Sequence, residues 1–452
     1  MLIKASFSNF KSFEDETTLT MISSNKTTKK QDHKVSFMSS TNILKYGIVY
    51  GANASGKSNL IEVFRFIKYC ISTAIPAEAS TFFCKSKKEN INKPSVFELQ
   101  FTVGKKIYAY GFQLLLSKQI IEAEWLYELH QNNSVDTIFE WQRNTKPIIG
   151  ESFRLNTDEQ NRINTYINDF DNESNFLFLS VMNRNKKYET NSKLYVFKKV
   201  YEYLLNNITV CSPNVAITDF NQYYDSASLS QISKLIKSFD TGITDIEIVD
   251  TTFDELSKVV PEFFYKNIIA QMNHQIEQLQ EGTIRFSWRS NRDFYNIKVT
   301  KGEEPSVSTL RIKHGPSYYP FNYGDESDGT QRLFELIDMV LNKDNDRIYV
   351  IDEMERSLHP KLTAHFIELF NEAHKNDQVQ LIFTTHESSI MDQDLFRRDE
   401  IWFVERNSEN VSQLFSLDLF KVRYDTKLSK AYLEGRYGAI PVFSEFKFKE
   451  EQ

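Results

Sequence analysis

One octapeptide near the start of the chain limits the fold more than any other feature. Residues 51–58 read Gly-Ala-Asn-Ala-Ser-Gly-Lys-Ser, with a glycine on each side of four residues. A short apolar, β-branched run, Tyr46–Tyr50, precedes them, and apolar residues recur at helical spacing through 58–75. Strand, glycine loop and helix in this order predict a phosphate-binding loop, whose backbone N–H groups close around phosphate oxygens.

The chemistry of such a loop depends on charged partners elsewhere in the chain. Lys57 brings positive charge to the β and γ phosphates, and Ser58 offers a hydroxyl to Mg²⁺. A second apolar run, residues 348–351, ends in Asp352 and Glu353. We predict that Asp352 holds the Mg²⁺ shell and that Glu353 orients and deprotonates the attacking water. Alone, this pair is equally well explained as a solvated acidic turn; behind the phosphate loop, the catalytic interpretation is favoured.

Two more motifs lie in the C-terminal third. Residues 327–331, Ser-Asp-Gly-Thr-Gln, introduce a predicted helix at 332–341. Serine and glycine at a helix start make an anion site from a hydroxyl, free N–H groups and the helix dipole, although a plain helix cap is the better explanation of this pentapeptide taken alone. His386 follows a predicted strand at 380–384, and this position at a strand end favours a phosphate sensor over a structural histidine.

Composition excludes several classes of protein. A hydrophobic fraction of 40 % and a charged fraction of 25 % over 452 residues indicate a soluble globular protein of two or three domains. The net charge of −7 means that any nucleic-acid contact must be a local basic patch. The basic clusters at 85–88 and 184–187 are better explained as solvated loops.

Cysteine usage and hydropathy predict the compartment. Cys70, Cys84 and Cys211 have no metal-ligand spacing, and three scattered cysteines indicate a reducing environment. The N-terminus lacks a signal-peptide pattern, and no apolar run approaches the ~20 residues that span a bilayer. We expect a cytoplasmic protein with no membrane partner.

The remaining pattern predicts three segments. Strands are expected at 2–7 and 17–22, an exposed basic loop at 25–34, and an antiparallel set of strands over 95–143 with a turn at 104–106. Residues 157–280 read as mostly helical, with a last helix at 253–281, and a hairpin follows at 284–288 and 294–300. After Gly329 the order helix, strand, helix, strand is typical of an α/β half-domain. The predicted division is 1–150, 151–282 and 283–452.

Taken together, these motifs resemble the ABC-type ATPases. The resemblance rests on the phosphate loop, the 327–331 signature, the acidic strand end, the Ser-Leu-His-Pro turn at 357–360 and the Thr-Thr-His sequence at 384–386. The N-terminal strand followed by Asn-Phe-Lys-Ser-Phe is similar to the RecF/SMC/OLD group. Within that group the chain most resembles OLD-like abortive-infection ATPases that lack a fused Toprim nuclease. The implied fold is α/β, an ABC-type P-loop ATPase head with a mixed sheet, flanking helices, an antiparallel β subdomain and a mainly helical insertion.

The resemblance also implies a shared active site. In ABC ATPases two nucleotides lie between two subunits, so Ser327 and Gly329 would contact the γ-phosphate bound on the other protomer, and Ser357 would lie at the contact. The implied cofactors are ATP and Mg²⁺, and the implied assembly is a homodimer or higher homo-oligomer. The predicted nucleotide contacts are Gly51, Asn53, Ser55, Gly56, Lys57, Ser58, Asn59, Ser327, Gly329 and Gln331; the metal ligands are Ser58 and Asp352; the catalytic residues are Lys57, Glu353 and His386.

Three positions depart from the family pattern or stay open. Ala54 stands where related loops often have glycine, which we expect to be tolerated because the bracketing glycines remain. The glutamine that senses Mg²⁺ in this superfamily has two candidates, Gln100 and Gln113, each near a predicted strand end. His359 either helps to position the subunit contact or caps the next helix.

Three functional hypotheses follow. OLD nucleases carry a Toprim domain after the ATPase, whereas here only residues 442–452 follow the motif at 438–441, so we expect an ATPase that controls another protein. The first hypothesis is a sensor and scaffold in antiphage defence, which holds a partner effector such as a nuclease and responds to nucleic acid or a phage protein. The second is a RecF-like clamp on duplex DNA in repair, which the overall acidity disfavours. The third is a self-sufficient nuclease, which needs an acidic metal cluster outside these motifs.

Overall fold

The chain forms two compact units. The computed structural model describes residues 1–37, 41–170, 175–213, 223, 226–278, 281–289, 294–316, 319–423 and 426–441. The first unit comprises Met1–Asn214, Asp344–Met354 and His374–Gln452, and the second comprises Val215–Lys343 and Glu355–Ala373.

A six-stranded mixed sheet forms the centre of the first unit. Five strands are parallel and the last is antiparallel, and β-branched and aromatic residues bury both faces of its central strands. In spatial order the strands are β11 (Ile208–Cys211), β17 (Ile348–Ile351), β18 (Gln380–Thr384), β5 (Tyr46–Tyr50), β19 (Ile401–Arg406) and β20 (Ser412–Ser416).

An antiparallel sheet of seven strands completes the β structure of this unit, together with a small hairpin. Burial alternates along the first six residues of β6 (Ser95–Val103), as the period-two pattern predicts, whereas five successive residues of β7 (Lys106–Leu115) are buried. The predicted turn at 104–106 is present, with Gly104 at φ 63°. In spatial order the strands are β10 (Ile148–Ile149), β9 (Val135–Gln142), β8 (Ile120–Leu129), β7 (Lys106–Leu115), β6 (Ser95–Val103), β1 (Leu2–Ser8) and β2 (Thr17–Thr20); the hairpin is β3 (Lys34–Phe37) with β4 (Thr41–Leu44).

Aromatic side chains attach the helices of the first unit to its sheets. The rings of Phe101 and Tyr203 stack with centroids 5.1 Å apart, and Phe139 packs on Phe178 at 5.1 Å and on Phe197 at 5.7 Å. Such contacts bury large apolar areas and fix ring orientation. The helices are α1 (Lys57–Ser72), α2 (Thr157–Asn168), α3 (Phe178–Asn183), α4 (Tyr195–Asn206) and α10 (Leu428–Leu433).

The second unit has its own sheet and core. A separate apolar cluster, which includes Leu256, Ile268 and Ile297, packs helices against the sheet. The strands are β12 (Ile243–Thr251), β15 (Ser306–His314), β14 (Phe294–Thr300) and β13 (Thr283–Arg289), with β16 (Phe321–Asn322) paired to β15. The helices are α5 (Ser226–Lys237), α6 (Phe253–Val259), α7 (Glu262–Gln278), α8 (Asp328–Leu341) and α9 (Pro360–Ala373).

The single helix predicted at 253–281 is wrong. Two helices, α6 and α7, occupy this stretch, and Val260 between them is extended at φ −82°, ψ 129°. Pro261 is the cause, because proline has no N–H to donate and forces the preceding residue out of the α region.

The two compact units also divide the chain differently from the predicted boundaries at 150 and 282. Helices α2, α3 and α4 lie in the first unit, and two strands, β11 and β12, interrupt the stretch predicted to be mostly helical. β11 pairs with β17 in the six-stranded sheet, so the chain returns to this sheet before it enters the second unit.

The predicted fold class is confirmed. The molecule is α/β, with a mixed sheet, flanking helices and an antiparallel β subdomain. Among the helices of the described ranges, none combines the length and the apolar character that a membrane crossing requires.

Candidate active site

The phosphate loop turns sharply between β5 and α1. Every residue of β5 is buried, and α1 begins at Lys57 behind Gly56, whose φ of 117° lies in the left-handed region. A Cβ at Gly56 would overlap the hydroxyls of Ser412 and Ser12, and one at Gly51 would overlap the carbonyl of Val404. Both glycines are therefore required by space, and Gly56 by its backbone conformation as well.

A set of hydroxyls holds the loop from behind. Ser412 Oγ on β20 donates to the carbonyl of Ser55 at 2.5 Å and accepts from Ser12 Oγ at 2.7 Å. Asn59 on α1 donates to the same Ser12 oxygen at 2.8 Å. The Asn-Phe-Lys-Ser-Phe segment thus supports the phosphate loop through its serine. No local pattern indicates the role of Ser412, because its partners are 357 and 400 residues away in the chain.

The Lys57 ammonium lies inside the turn of the loop. Its Nζ donates to the carbonyl of Gly51 at 2.7 Å and to that of Ala52 at 3.0 Å, and lies 3.4 Å from His386 Nδ1. Lys57 itself is buried, whereas Asn53, Ala54 and Ser58 are exposed. A positive charge held under an exposed turn of the backbone is suited to an anion.

Two carboxylates follow β17 at the same edge of the sheet. Asp352 is buried, and its Oδ1 accepts a hydrogen bond of 2.5 Å from Thr384 Oγ1. Glu353 is half-buried, and its Oε1 lies 3.8 Å from His386 Nε2. Because β17, β18 and β5 are adjacent and parallel, their carboxyl ends bring the acidic pair, His386 and the phosphate loop together.

Three residues of these motifs have a strained backbone. Ala54, Glu353 and Ser357 have φ values of 60°, 49° and 63°, a region that side-chain-bearing residues rarely occupy. Residues held in this way are frequent at functional sites, where surrounding contacts determine them. The loop therefore accommodates Ala54, at the cost of a left-handed alanine.

The residues present fit a nucleotide phosphate with a divalent cation. The loop has the two glycines that a close approach of phosphate to backbone requires, and the Lys57 ammonium lies under it. Ser55 Oγ is buried, and no described residue partners it. Ser58 and Asp352 offer the hydroxyl and carboxylate oxygens that Mg²⁺ prefers.

The signature segment lies in the second unit. Helix α8 begins at Asp328, four residues earlier than predicted, with Ser327 as its N-cap. The exposed Ser327 Oγ accepts from the Thr330 N–H at 3.2 Å, whereas the Gln331 side chain donates to the carbonyl of Glu326 at 3.1 Å. The start of this helix is open to solvent and presents a hydroxyl and backbone N–H groups.

The Ser-Leu-His-Pro turn packs directly on this signature. A Cβ at Gly329 would overlap the carbonyl of Ser357, so only glycine allows the two segments to approach so closely. His359 Nδ1 accepts from the Lys361 N–H at 3.2 Å, which supports its role as a cap of α9. Gln100 and Gln113 lie within paired strands of the antiparallel sheet, and Gln100 donates to Glu98 at 2.9 Å.

Comparison with solved structures finds SMC heads, each at 14 % identity. They are an SmcHead bound to the C-winged helix domain of ScpA (TM-score 0.38; 92 % of this chain, 97 % of that one), the SMC head domain from Thermotoga maritima (0.35; 92 % and 98 %), and an Smc head with an extended coiled coil bound to the C-terminal domain of ScpA derived from Pyrococcus furiosus (0.33; 96 % and 99 %). Likenesses this loose carry no weight for function. No curated protein matches the sequence.

One protein family matches most of the sequence. The family described as "AAA domain, putative AbiEii toxin, Type IV TA system" matches residues 48–392, which is more than half of the chain and includes every motif from the phosphate loop to His386. The chain therefore belongs to this AAA-domain family of P-loop ATPases.

Proposed function

We propose that this protein is a Mg²⁺-dependent ATP hydrolase that dimerises around ATP and controls a separate effector in prokaryotic antiphage defence. One observation carries the enzymatic part: Lys57, His386 and Glu353 form a continuous series of contacts, 3.4 Å and then 3.8 Å apart, at the carboxyl ends of adjacent strands. If these three side chains only stabilised the fold, they would not need to lie in line beside the phosphate loop.

Each residue has a role in this proposal. Lys57 and the loop N–H groups bind the phosphates, and Ser58 with Asp352 holds Mg²⁺, which neutralises the charge on the phosphate oxygens when it is bound. Glu353 accepts a proton from the attacking water, and His386 positions the γ-phosphate. Glu353 and His386 are both partly exposed, so water and substrate can reach them.

The signature supports dimerisation. Ser327 and Asp328 are exposed at the start of a helix of 14 residues, with the carbonyl of Ser357 packed behind Gly329. In this proposal a second copy of the chain brings its γ-phosphate to this helix start. ATP then closes the dimer and hydrolysis reopens it, because only the γ-phosphate favours the closed state.

The defence role is supported by the family description, which names a toxin of a type IV toxin–antitoxin system. Such a system has two components, which suits an ATPase that acts with another gene product. We propose an OLD-like, cytoplasmic ATPase whose output is made by a partner, such as a nuclease, after a nucleic acid or a phage protein triggers the switch.

Glu353→Gln tests the catalytic assignment. The amide keeps the size of the side chain and cannot accept the proton, so we expect ATP turnover to fall roughly 100-fold or more while ATP affinity stays within a few-fold. Phosphate release and fluorescent-nucleotide binding measure the two quantities. Glu368→Gln, an exposed carboxylate on α9, is the matched control. Unchanged turnover in Glu353→Gln would show that the assignment is wrong.

A further inference from the structure

We propose that Thr384 is the positioning residue of this site: its hydroxyl orients the Asp352 carboxylate and fixes the backbone that carries Glu353. The inference rests on the proposed ATPase function and adds a residue to it. Thr384 is fully buried, so its hydroxyl reaches no substrate and acts only through the residues that it touches.

The hydroxyl makes two short contacts, one with each acidic residue. Thr384 Oγ1 lies 2.5 Å from Asp352 Oδ1 and 2.8 Å from the backbone nitrogen of Glu353. The carbonyl of the same threonine accepts from the Met354 N–H at 3.2 Å. The turn after β17 is therefore held to the end of β18 at three successive residues.

Donor and acceptor chemistry fixes the direction of both contacts. A hydroxyl has one proton to donate, an ionised carboxylate only accepts and a backbone N–H only donates. Thr384 must therefore donate to Asp352 Oδ1 and accept from Glu353. This arrangement commits one carboxylate oxygen of Asp352 to the protein and fixes the rotation that directs the other.

The backbone of Glu353 gives this contact a second function. Glu353 has a φ of 49°, a conformation that a glutamate keeps only where neighbouring groups determine it. The Thr384 hydroxyl and carbonyl bind the N–H groups of Glu353 and of the next residue, and so hold this turn. His386 follows two residues later in the chain, so one side chain links the acidic turn to the strand that carries the histidine.

Thr384→Val is the direct test, because valine has the shape of threonine without the hydroxyl. Loss of an outer-shell partner typically lowers metal affinity or activity roughly 10–100-fold. We expect Thr384→Val to raise the MgCl₂ concentration for half-maximal ATP turnover by about ten-fold and to lower kcat, whereas binding of fluorescent ATP in EDTA stays within about two-fold. Thr384→Ser keeps the hydroxyl, so its Mg²⁺ requirement should remain near that of the wild type.

Two comparisons separate this effect from damage to the fold. Thr363→Val removes a buried hydroxyl that has no partner in the described chain, so it should leave turnover and Mg²⁺ requirement unchanged. If Thr384→Val melts well below the wild type, Thr384→Cys replaces it and is compared with Thr384→Ser. The two side chains are similar in shape, but the thiol forms much weaker hydrogen bonds than the hydroxyl.

Failure of the Thr384 proposal can be distinguished from failure of the proposed ATPase function. A wild-type protein that does not hydrolyse ATP overturns the proposed function itself. If the wild type hydrolyses ATP, Glu353→Gln abolishes turnover and Thr384→Val keeps the wild-type Mg²⁺ requirement, only the role of Thr384 is overturned. Equal impairment of Thr384→Ser and Thr384→Val also overturns it, because the hydroxyl would then not be the cause.

Discussion

At the scale of single residues, Glu124 is a buried carboxyl outside the active site. It is fully buried on β8, where it accepts from Tyr110 Oη at 3.0 Å, from the Leu179 N–H at 2.9 Å and from the Phe178 N–H. Burial raises the pKa of Glu124 from 4.5 to about 7, because desolvation outweighs these hydrogen bonds. The folded chain therefore binds this proton more tightly than the unfolded chain.

This difference predicts a pH-dependent stability. The contribution of Glu124 is full below about pH 4 and is lost as pH rises through about 7. Relative to Glu124→Gln, the free energy of unfolding of the wild type should fall by up to about 3 kcal/mol between about pH 5 and 8, at about 1.4 kcal/mol per pKa unit. Urea unfolding at both pH values measures it. Glu122→Gln, on the same strand, should follow the wild type, and a pH-independent difference for Glu124→Gln would contradict the assignment.

Individual site residues differ in how far the sequence predicts them. Lys57, Asp352, Glu353 and His386 were found because their motifs have fixed spacing next to apolar strands, and the structure places all four at one sheet edge. Thr384 was part of a recognised motif, yet its contacts depend on strand order, which spacing does not reveal.

At the scale of elements, strand β20 supports the phosphate loop. Ser412→Ala removes the hydroxyl that hydrogen-bonds to Ser55 and Ser12, so we expect a loss of about 1–2 kcal/mol in stability. Affinity for ATP should fall several-fold and kcat should change less, because the loop binds ground state and transition state alike. Nucleotide binding and steady-state kinetics measure both. Ser416→Ala, at the other end of β20, is the control; equal ATP affinities in the two variants would contradict the role of Ser412.

Elements with one strong local signal were predicted well. β5 was predicted at its observed bounds, and the phosphate-loop helix within a few residues, because an apolar run and a glycine loop define them. The loop predicted to be exposed at 25–34 is not exposed throughout, because His33 within it is buried and pairs with Glu400 at 3.0 Å. That partner lies 367 residues away, where no local pattern can indicate it.

At the scale of the whole molecule, the two halves of the predicted active site lie in different compact units: Lys57 and Glu353 in the first, Ser327 in the second. A site completed by a second copy predicts complementation between variants. Lys57→Ala and Ser327→Arg should each be inactive alone. Their heterodimer keeps one intact pair, the phosphate loop of one chain with the signature of the other, so an equal mixture should recover about a quarter of wild-type ATP turnover.

The matched control uses two lesions within the same unit. A mixture of Lys57→Ala with Glu353→Gln has no intact pair in any dimer, because both changes affect the half-site that one chain supplies. We expect no recovery of turnover from that mixture. If Lys57→Ala and Ser327→Arg also fail to recover activity, although each variant binds to the other in size-exclusion chromatography, the signature does not act across the dimer. Recovery in the first mixture alone, rising with protein concentration, places the hydrolytic site between two copies of the chain.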